Sequence, residues 1–500
     1  MSKRINVIRR GAPSLNLSLK NGEGDIFFST PINRTNCVEQ DMNKNTPRQA
    51  DRRQFIKAAG AVSALSAVTV PHVFAGEGQG NTLQLALIGC GGRGTGAVAD
   101  ALRVKAVPTK LVAMADVFDE RIALSHRVIT EAFEASPEKV SVPEDQRFVG
   151  FDAYKKAMDV LRPGDIAIFA TPLAFRWVHF DYAIQRGLHV FMEKPLVADG
   201  ASGKRMFALS EQADAKNLKC GVGLMVRHCR GRQELHQRIA DGEIGEINAM
   251  RAYRMHGPMG SCFSRRKPPE RKELMWQIER FHSFIWASGG LFNDFYVHQI
   301  DETCWMKNAW PVKAQALGGR HYRGDYVDQN FDIYAVEYTF EDGAKLFLDG
   351  RTITGCRNDM SSVVHGTGGS AIVSESGHSP GKVRTFRGQR QDRRDIVWAY
   401  PQPEQNPYQL EWDDLVHAIV NNLPYNEVPR GVEASLVSNM GRMAAHTGHE
   451  ITYQQILDSP HEFAPHIANF SPDGPAPVMP NDEGRYPVPM PGENREIEFA

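Results

Sequence analysis

The chain has 500 residues, of which 42% are hydrophobic, and it carries a formal net charge of −1. A chain of this length and composition can bury more than one hydrophobic core, so we expect two domains with additional segments. A net charge this close to zero argues against nucleic acid or an acidic polymer as the main partner.

An export signal is predicted within residues 1–75. Arg52 and Arg53 precede an apolar run at 58–70, and small residues typical of a cleavage site follow. This is the pattern of a twin-arginine signal peptide, and the apolar run is short for a membrane span. We therefore expect the twin-arginine export machinery as a partner and a periplasmic or otherwise exported mature protein. The polar extension before the signal is long, so Met42 is an alternative start.

The segment TLQLALIGCGGRGTGAVADALR, residues 82–103, predicts a strand, a glycine turn and a helix. Gly89, Gly91 and Gly94 form the pattern GxGxxG where the strand ends. A dinucleotide-binding fold places the pyrophosphate at this point, against the N-terminus of the helix. The candidate cofactor-binding residues of this loop are Gly89, Gly91, Gly92, Arg93 and Gly94.

A second strand, LVAMADV, contains Asp116, which lies 22 residues after Gly94. A carboxylate at this position accepts hydrogen bonds from the hydroxyls of an adenosine ribose and would repel a 2′-phosphate. The spacing therefore predicts NAD as the cofactor and disfavours NADP.

Strands and helices continue to alternate up to residue 195. Strands are expected at 165–172 and 188–195, with a helix at 175–187 between them and an added loop or helix at 126–148. This alternation predicts a doubly wound parallel sheet of the Rossmann type. We assign residues 80–195 to an NAD-binding Rossmann domain.

The pattern changes after residue 195 to a helix followed by long strands, which predicts a C-terminal α/β domain with a mostly antiparallel open sheet over residues 196–460. Asp342 and Gly343 form a strong hairpin turn between two of these strands. Residues 461–500 are rich in proline and are expected to form an extended arm with little core of its own. Further strands are expected at 247–257, 312–323 and 361–374, and a helix at 408–423.

The stretch GGLFNDFYVHQID, residues 289–301, places Asp294, His298 and Asp301 on one face of a helix. Apolar residues fill the rest of its circumference, so we expect a buried helix whose polar stripe faces a site. A helix-starting aspartate with a core histidine is the structural alternative, and a metal site is a second one. A metal site would leave the glycine loop unexplained.

Four motifs in this order resemble the glucose-fructose oxidoreductase/inositol dehydrogenase (Gfo/Idh/MocA) family: GCGGRG, ATP at 170–172, EKP at 193–195 and GGLFNDFYVHQID. The resemblance covers residues 83–457, and the family includes exported proteins with similar signals. It implies a Rossmann domain that binds a nicotinamide cofactor and a C-terminal domain that supplies the sugar or polyol site. It is also compatible with a homo-oligomer formed through the C-terminal sheet.

The resemblance also implies roles for individual residues. Lys194 would lie beside the nicotinamide and the reacting hydroxyl, Asp294 would position Lys194 and the substrate, and His298 would be the acid/base. Thr171 would line the cofactor channel, and Glu193 would hydrogen-bond near the nicotinamide ribose. These residue types suit alcohol oxidation, because an imidazole can accept the proton and an ammonium stabilises the alkoxide. Asp301 is expected to orient the helix.

Several positions depart from the family pattern. Arg176 stands where histidine is frequent, and Tyr296 stands where glycine is common, so both are assigned to substrate binding, together with Arg227. Residues 256–286 form a long insertion rich in arginine, histidine and tryptophan. This composition suits either contact with a sugar or contact between subunits.

The sequence therefore predicts an NAD-dependent oxidoreductase that acts on a secondary alcohol of a sugar or polyol. Because an exported protein has no nicotinamide pool to exchange with, the cofactor is expected to stay bound and to be recycled internally. One alternative is redox-neutral glycoside hydrolysis or epimerisation through a transient keto-sugar. An alternative of another class is a non-catalytic carbohydrate-binding protein, against which the intact Lys194, Asp294 and His298 argue.

Overall fold

The computed structural model describes residues 82–321, 323–493 and 498, all of which belong to one compact unit. The predicted signal peptide and the alternative start at Met42 lie outside the described residues. None of the helices in the described part combines the length and apolar character that a membrane crossing requires.

The first layer is a parallel sheet of six strands in the order β3-β2-β1-β4-β5-β6. This is the strand order of a Rossmann fold, and the order reverses between β1 and β4. Its strands are β1 (Leu83–Ile88), β2 (Thr109–Asp116), β3 (Arg147–Val149), β4 (Ile166–Phe169), β5 (His189–Met192) and β6 (Cys220–Val222).

Helices connect these strands and cover the faces of the sheet. The central strands are apolar almost throughout and buried, as expected for a parallel sheet with both faces covered. The predicted Rossmann sheet is thereby confirmed. The helices of this region are α1 (Gly92–Leu102), α2 (Asp119–Ala132), α3 (Ala153–Asp159), α4 (Arg176–Arg186), α5 (Gly200–Ala215) and α6 (Arg230–Ala240).

The sheet differs from the prediction at its two edges. β3 completes one edge and begins at the end of the segment 126–148, which is expected to be an added loop or helix, and β6 completes the other edge beyond residue 195. The parallel sheet therefore continues past the boundary placed at 195. Strands of three residues are too short to show a period, so neither was recognised.

The second sheet has nine strands in the order β14-β13-β12-β11-β7-β10-β9-β8-β15. Every neighbouring pair is antiparallel except β7 and β10, which confirms the mostly antiparallel sheet. Its strands are β7 (Ile247–His256), β8 (Lys313–Gly319), β9 (Ile333–Thr339), β10 (Lys345–Thr352), β11 (Ser362–Gly366), β12 (Gly369–Ser374), β13 (Arg384–Arg387), β14 (Ile396–Ala399) and β15 (Ile451–Thr452).

Two long helices pack against the second sheet. The helix at 290–307 carries the polar stripe of Asp294, His298 and Asp301, and it is buried along almost its whole length against β7 and the helix at 428–447. The predicted burial of this helix is therefore confirmed. The remaining helices are α7 (Glu273–Glu279), α8 (Ile285–Ser288), α9 (Gly290–Lys307), α10 (Pro407–Val420), α11 (Val428–Thr447) and α12 (Tyr453–Asp458).

The described residues of the C-terminal arm pack on the insertion at 256–286. Ile467, Val478 and Tyr486 of the arm share a buried apolar cluster with Phe284 and Trp286 of the insertion. Polar contacts join the same two segments, because Tyr486 Oη lies 2.5 Å from a carboxylate oxygen of Glu273 and Gln277 donates to the carbonyl of Val478. The arm thus holds the insertion in place.

Candidate active site

Two glycines of the loop that joins β1 to α1 leave no space for a side chain. Gly89 has a φ of +95°, and a Cβ there would lie 2.6 Å from the carbonyl carbon of Ala170. A Cβ on Gly94 would lie 2.2 Å from the carbonyl oxygen of Gly89. Because side chains cannot approach backbone atoms this closely, glycine is required at both positions to bring the helix against the strand.

The next glycines of the loop face open space. A Cβ on Gly91 or Gly92 would meet no atom within 4 Å. Gly91 precedes the first turn of α1, an 11-residue helix without a side-chain cap on its N-terminus. The backbone N–H groups at this end are therefore available to an anion such as a pyrophosphate.

A cavity of about 750 Å³ opens in front of this loop, at the point where the strand order reverses. This volume lies within the range of small-molecule and cofactor sites, roughly 300 to 1,000 Å³. The Rossmann sheet and the insertion both contribute to its walls. The insertion residues on the wall are Ser261, Ile278, Glu279, Phe281 and His282.

Asp116, at the end of β2, lines the same cavity. Its carboxylate accepts hydrogen bonds from the backbone N–H of Cys90 at 2.7 Å and of Phe118 at 3.1 Å. Burial raises the pKa of Asp116, and these two donors oppose the shift. The position and chemistry of this carboxylate fit the ribose hydroxyls of a dinucleotide.

Thr171 and Glu193 follow β4 and β5, which lie on the other side of β1 from β2. Thr171 lines the cavity, and its hydroxyl is 3.3 Å from Nδ1 of His179. Burial, followed by the nearby Arg176, lowers the pKa of His179 to about 3, so this imidazole is neutral. Glu193 accepts from Nε of Arg93 at 2.7 Å, which ties the end of β5 to the glycine loop. The loop and the EKP motif are therefore one structural unit.

Lys194 and Asp294 form the centre of a polar cluster beside the cavity. The ammonium of Lys194 donates to the carbonyl oxygen of Asp294 at 2.5 Å and lies 3.5 Å from its carboxylate. The other carboxylate oxygen of Asp294 lies 3.4 Å from Nε2 of His282. Because His282 also lines the cavity, it connects the cavity to the Lys194–Asp294 pair.

The carboxylate of Asp294 is held in its charged form. Burial by itself would raise its pKa, but Lys194 and His282 outweigh this and lower the pKa to about 2. Asp294 is thus an anion at any pH near neutrality, and it fixes the ammonium of Lys194 in position.

His298 lies one helical turn beyond Asp294 on α9 and is 6% exposed. Burial, followed by His378 and the ammonium of Lys194, lowers its pKa well below the usual value. Its ring centroid lies 4.2 Å from that of His378, and its Nδ1 is buried without a hydrogen-bond partner among the described residues. The imidazole is therefore neutral and able to accept a proton.

The structure corrects the assignment of Arg176 to substrate binding. Its side chain is 1% exposed, and it donates to the carbonyl oxygens of Phe169 at 2.8 Å and Thr171 at 3.1 Å. These bonds hold the chain that follows β4. Arg176 therefore supports the backbone that follows β4, and its side chain is not among those that line the cavity.

Tyr296 was also expected to line the substrate cleft, and this prediction is wrong. The ring is fully buried and packs over Gly350 of β10, where a Cβ would lie 2.2 Å from it. Phe292 and Tyr334 cover its other sides. The missing side chain at Gly350 provides the space for this ring, so Tyr296 belongs to the core of the second domain.

Arg227 supports α9 instead of contacting the candidate substrate site. Its guanidinium binds both carboxylate oxygens of the fully buried Asp301, with a shortest distance of 2.7 Å, and lies over the ring of Trp305. Asp301 is therefore an anchor of the helix, in agreement with the helix-orienting role expected for it.

Two histidines of the cluster were not recognised from the sequence. His282 lies in the insertion, whose composition gives no reason to prefer one histidine over another. His378 follows β12 in a loop that no motif marks, and only the fold brings it to His298. Within the described residues there is no group of three or more side chains arranged to hold a metal ion.

Fold and site together define a two-domain α/β protein in which a Rossmann domain meets a lysine, aspartate and histidine cluster. The family model described as the GFO/IDH/MocA C-terminal domain matches residues 232–372, a range that includes β7 to β11 and helix α9. The family expected from the motifs is therefore supported over this part of the chain. None of the curated proteins compared with the chain gives a match.

Solved structures share this fold over about three quarters of the chain. The aldose-aldose oxidoreductase from Caulobacter crescentus, complexed with glycerol, is 17% identical with a TM-score of 0.57, covering 74% of this chain and 99% of that one. Levoglucosan dehydrogenase in complex with NADH and levoglucosan is 19% identical with a TM-score of 0.55 and the same coverage.

A third similar structure is scyllo-inositol dehydrogenase from Lactobacillus casei with bound NAD(H) and scyllo-inositol. It is 19% identical with a TM-score of 0.53, and the match covers 75% of this chain and 99% of that one. At identities this low, the three likenesses establish the fold alone.

Proposed function

We propose that this protein is an NAD-dependent oxidoreductase that acts on a secondary alcohol of a sugar or polyol. The observation that carries the proposal is the position of His282. It lines the cavity in front of the glycine loop and lies 3.4 Å from Asp294, which holds Lys194. A dinucleotide cradle and a group of acid/base side chains therefore adjoin. The similar structures named above include complexes with NADH or NAD(H) together with a sugar derivative or an inositol.

The chemistry divides between the cofactor and the side chains. A bound nicotinamide would accept a hydride from the alcohol carbon. The ammonium of Lys194, fixed by Asp294, stabilises the negative charge that develops on the alcohol oxygen. The neutral imidazole of His298 accepts the hydroxyl proton and returns it when a ketone is reduced.

The glycine loop and Asp116 would hold the cofactor. The pyrophosphate would fit the open space next to Gly91 and Gly92, at the N-terminus of α1. The adenosine ribose would bind the carboxylate of Asp116. Thr171 lines the same cavity, and Glu193, which precedes Lys194 in the chain, binds Arg93 of the glycine loop.

We also propose that the protein is exported by the twin-arginine route and that its cofactor is retained and recycled in the site. The support for export is the pattern at residues 52–75. The support for retention is that Ile278 and Phe281 of the insertion form part of the cavity wall. The homo-oligomer expected through the second sheet stays a prediction, which light scattering on the purified protein can test.

The test is to purify the protein, measure bound NAD, and record cofactor absorbance after adding sugars, polyols and aryl glycosides. We expect stoichiometric NAD and its reduction by at least one sugar or polyol. Lys194→Met should abolish this reduction, whereas Lys204→Met should not, because Lys204 is exposed and forms an ion pair with Asp458 at the surface.

Two outcomes contradict the proposal. Aglycone release without net reduction would identify redox-neutral glycoside cleavage by the same side chains. Absence of both cofactor and turnover, with sugar binding unchanged in His298→Ala, would identify a carbohydrate-binding protein.

A further inference from the structure

Arg254 is a buried cation next to the proposed catalytic cluster. It lies on β7, where alternate residues point inward, and it is 5% exposed. The inward face of β7 packs on α9, the helix of Asp294 and His298. The guanidinium is therefore on the same side of the second sheet as the proposed acid/base.

No carboxylate in the described part of the chain pairs with Arg254. Its one hydrogen bond there runs from Nη1 to Nε2 of His378 at 3.1 Å, and its Nε is buried without a partner. Because a guanidinium only donates, Nε2 of His378 must be the acceptor, so this imidazole is neutral there and brings no negative charge.

The carboxylates nearest to Arg254 already have other partners. Asp294 is held by Lys194 and His282. Glu302 accepts from Nε of Arg232 at 3.2 Å and from the hydroxyl of Ser362 at 2.5 Å. Arg254 is therefore a buried cation without a carboxylate partner of its own among the described residues.

Further polar atoms around this cation lack partners. His256 lies two residues further along the same face of β7, and its Nε2 is buried without a hydrogen bond to any described residue. Nδ1 of His298 is also buried without one. A buried unpaired charge and unsatisfied ring nitrogens are unfavourable in a folded protein unless a ligand supplies their partners. These atoms, which lie where β7 packs on α9, therefore have hydrogen-bonding capacity that a polar ligand could use.

We propose that Arg254 binds an anionic group, a carboxylate or a phosphate, on the sugar or polyol substrate. This inference rests on the proposed function and narrows its substrate class to acidic sugars, such as uronic or aldonic acids, or to sugar phosphates. The planar fork of a guanidinium matches both anions, and burial strengthens the contact.

An anion at Arg254 would also assist His298. The positive charge of Arg254 contributes to the lowering of the pKa of His298, after burial, His378 and Lys194. Neutralising Arg254 on substrate binding would raise that pKa and make the imidazole a stronger base. An acidic substrate would thus improve the group that removes its proton.

The test compares matched sugars on the NAD-loaded protein by calorimetry. The pairs are glucuronate and glucose, gluconate and glucitol, and glucose 6-phosphate and glucose. We expect at least one anionic sugar to bind about 10- to 100-fold more tightly than its neutral counterpart, which is the gain in affinity expected from a hydrogen bond to a charged group. A preference confined to the first two pairs identifies a carboxylate, and one confined to the third identifies a phosphate.

Variants of Arg254 test whether this residue causes the preference for the anionic sugar. Arg254→Met should remove it, and Arg254→Lys should keep only part of it, because lysine lacks the fork. The matched control is Arg251→Met, which removes the same charge from the exposed face of the same strand, where Arg251 pairs with Asp349 at 2.7 Å. This control should keep the preference. Thermal unfolding of Arg254→Met should occur at the wild-type temperature or above, since an uncompensated buried charge is lost.

The outcomes separate this inference from the proposed function. If the wild type reduces its NAD with neutral sugars and binds no anionic member more tightly, the anion site is refuted and the oxidoreductase stands. If Arg254-dependent anion binding occurs without any reduction of NAD, the oxidoreductase is refuted and the anion site stands. A preference that survives in Arg254→Met, or a marked loss of stability in that variant, refutes the role of Arg254.

Discussion

Replacing Asp294 by asparagine should remove a pH-dependent part of the stability of the protein. The folded structure lowers the pKa of this carboxyl from 3.8 to about 2, and the side chain is 11% exposed. Each pKa unit is equivalent to 1.36 kcal/mol, so the charged form of Asp294 contributes about 2 kcal/mol to the free energy of unfolding.

The sign of the pH dependence follows from the direction of the shift. Because the folded pKa lies below the unfolded one, the contribution is fully present above pH values near 4 to 5. It is lost progressively as the pH falls towards 2 and below. The stability difference between wild type and Asp294→Asn should therefore be larger at pH 7 than at pH 2 to 3.

Urea unfolding followed by tryptophan fluorescence, at a series of pH values from 7 to 2.5, measures this difference. Asp349→Asn is the control, since that carboxylate belongs to a surface ion pair with Arg251 and should change stability by less than about 1 kcal/mol. A difference between wild type and Asp294→Asn that stays constant over the pH series would refute the reasoning.

Three further predictions concern the cofactor and the reaction. Gly94→Ala should lower the melting temperature and abolish NAD binding, because its Cβ would collide with the carbonyl of Gly89, whereas Gly92→Ala should weaken NAD binding and keep the melting temperature. Scanning calorimetry measures the melting temperature, and fluorescence titration measures NAD binding. An equal fall in melting temperature in the two variants would contradict the packing argument. Asp116→Asn should weaken NAD binding about 10-fold and raise the affinity for NADP relative to NAD, since it removes the charge that repels a 2′-phosphate. An unchanged ratio of the two affinities in titrations with both nucleotides would contradict the role of Asp116. His298→Ala should retain NAD and lower turnover by at least about 100-fold, as expected for the loss of an acid/base; turnover near the wild-type rate would exclude His298 from that role.

Most of the fold followed from local patterns in the sequence. The glycine loop, the apolar strands and the Asp342–Gly343 hairpin each involve neighbouring residues, so a short window contains the whole signal. β3 and β6 carry no such signal, because three residues cannot show a period and their pairing depends on strands distant in the chain.

Only part of the candidate site can be predicted from local patterns in the sequence. Asp294 and His298 lie one turn apart on one helix, so their spacing in the sequence is enough to bring them together. Arg254, His282 and His378 come from a strand, the insertion and a loop, and only tertiary packing places them beside that helix. Tyr296 was misplaced because its environment is decided by Gly350, more than fifty residues further along.

The contacts between the insertion and the C-terminal arm have a consequence for the lifetime of the cofactor complex. Glu273 and Gln277 are fixed by Tyr486 and Val478, and the same insertion supplies Ile278 and Phe281 to the cavity wall. The arm therefore supports one wall of the proposed dinucleotide cavity. We expect the rate of cofactor dissociation to depend on this segment, although it is far from the glycine loop in the sequence. A chain shortened before Val478 should release NAD faster, while the glycine loop and Asp116 remain unchanged.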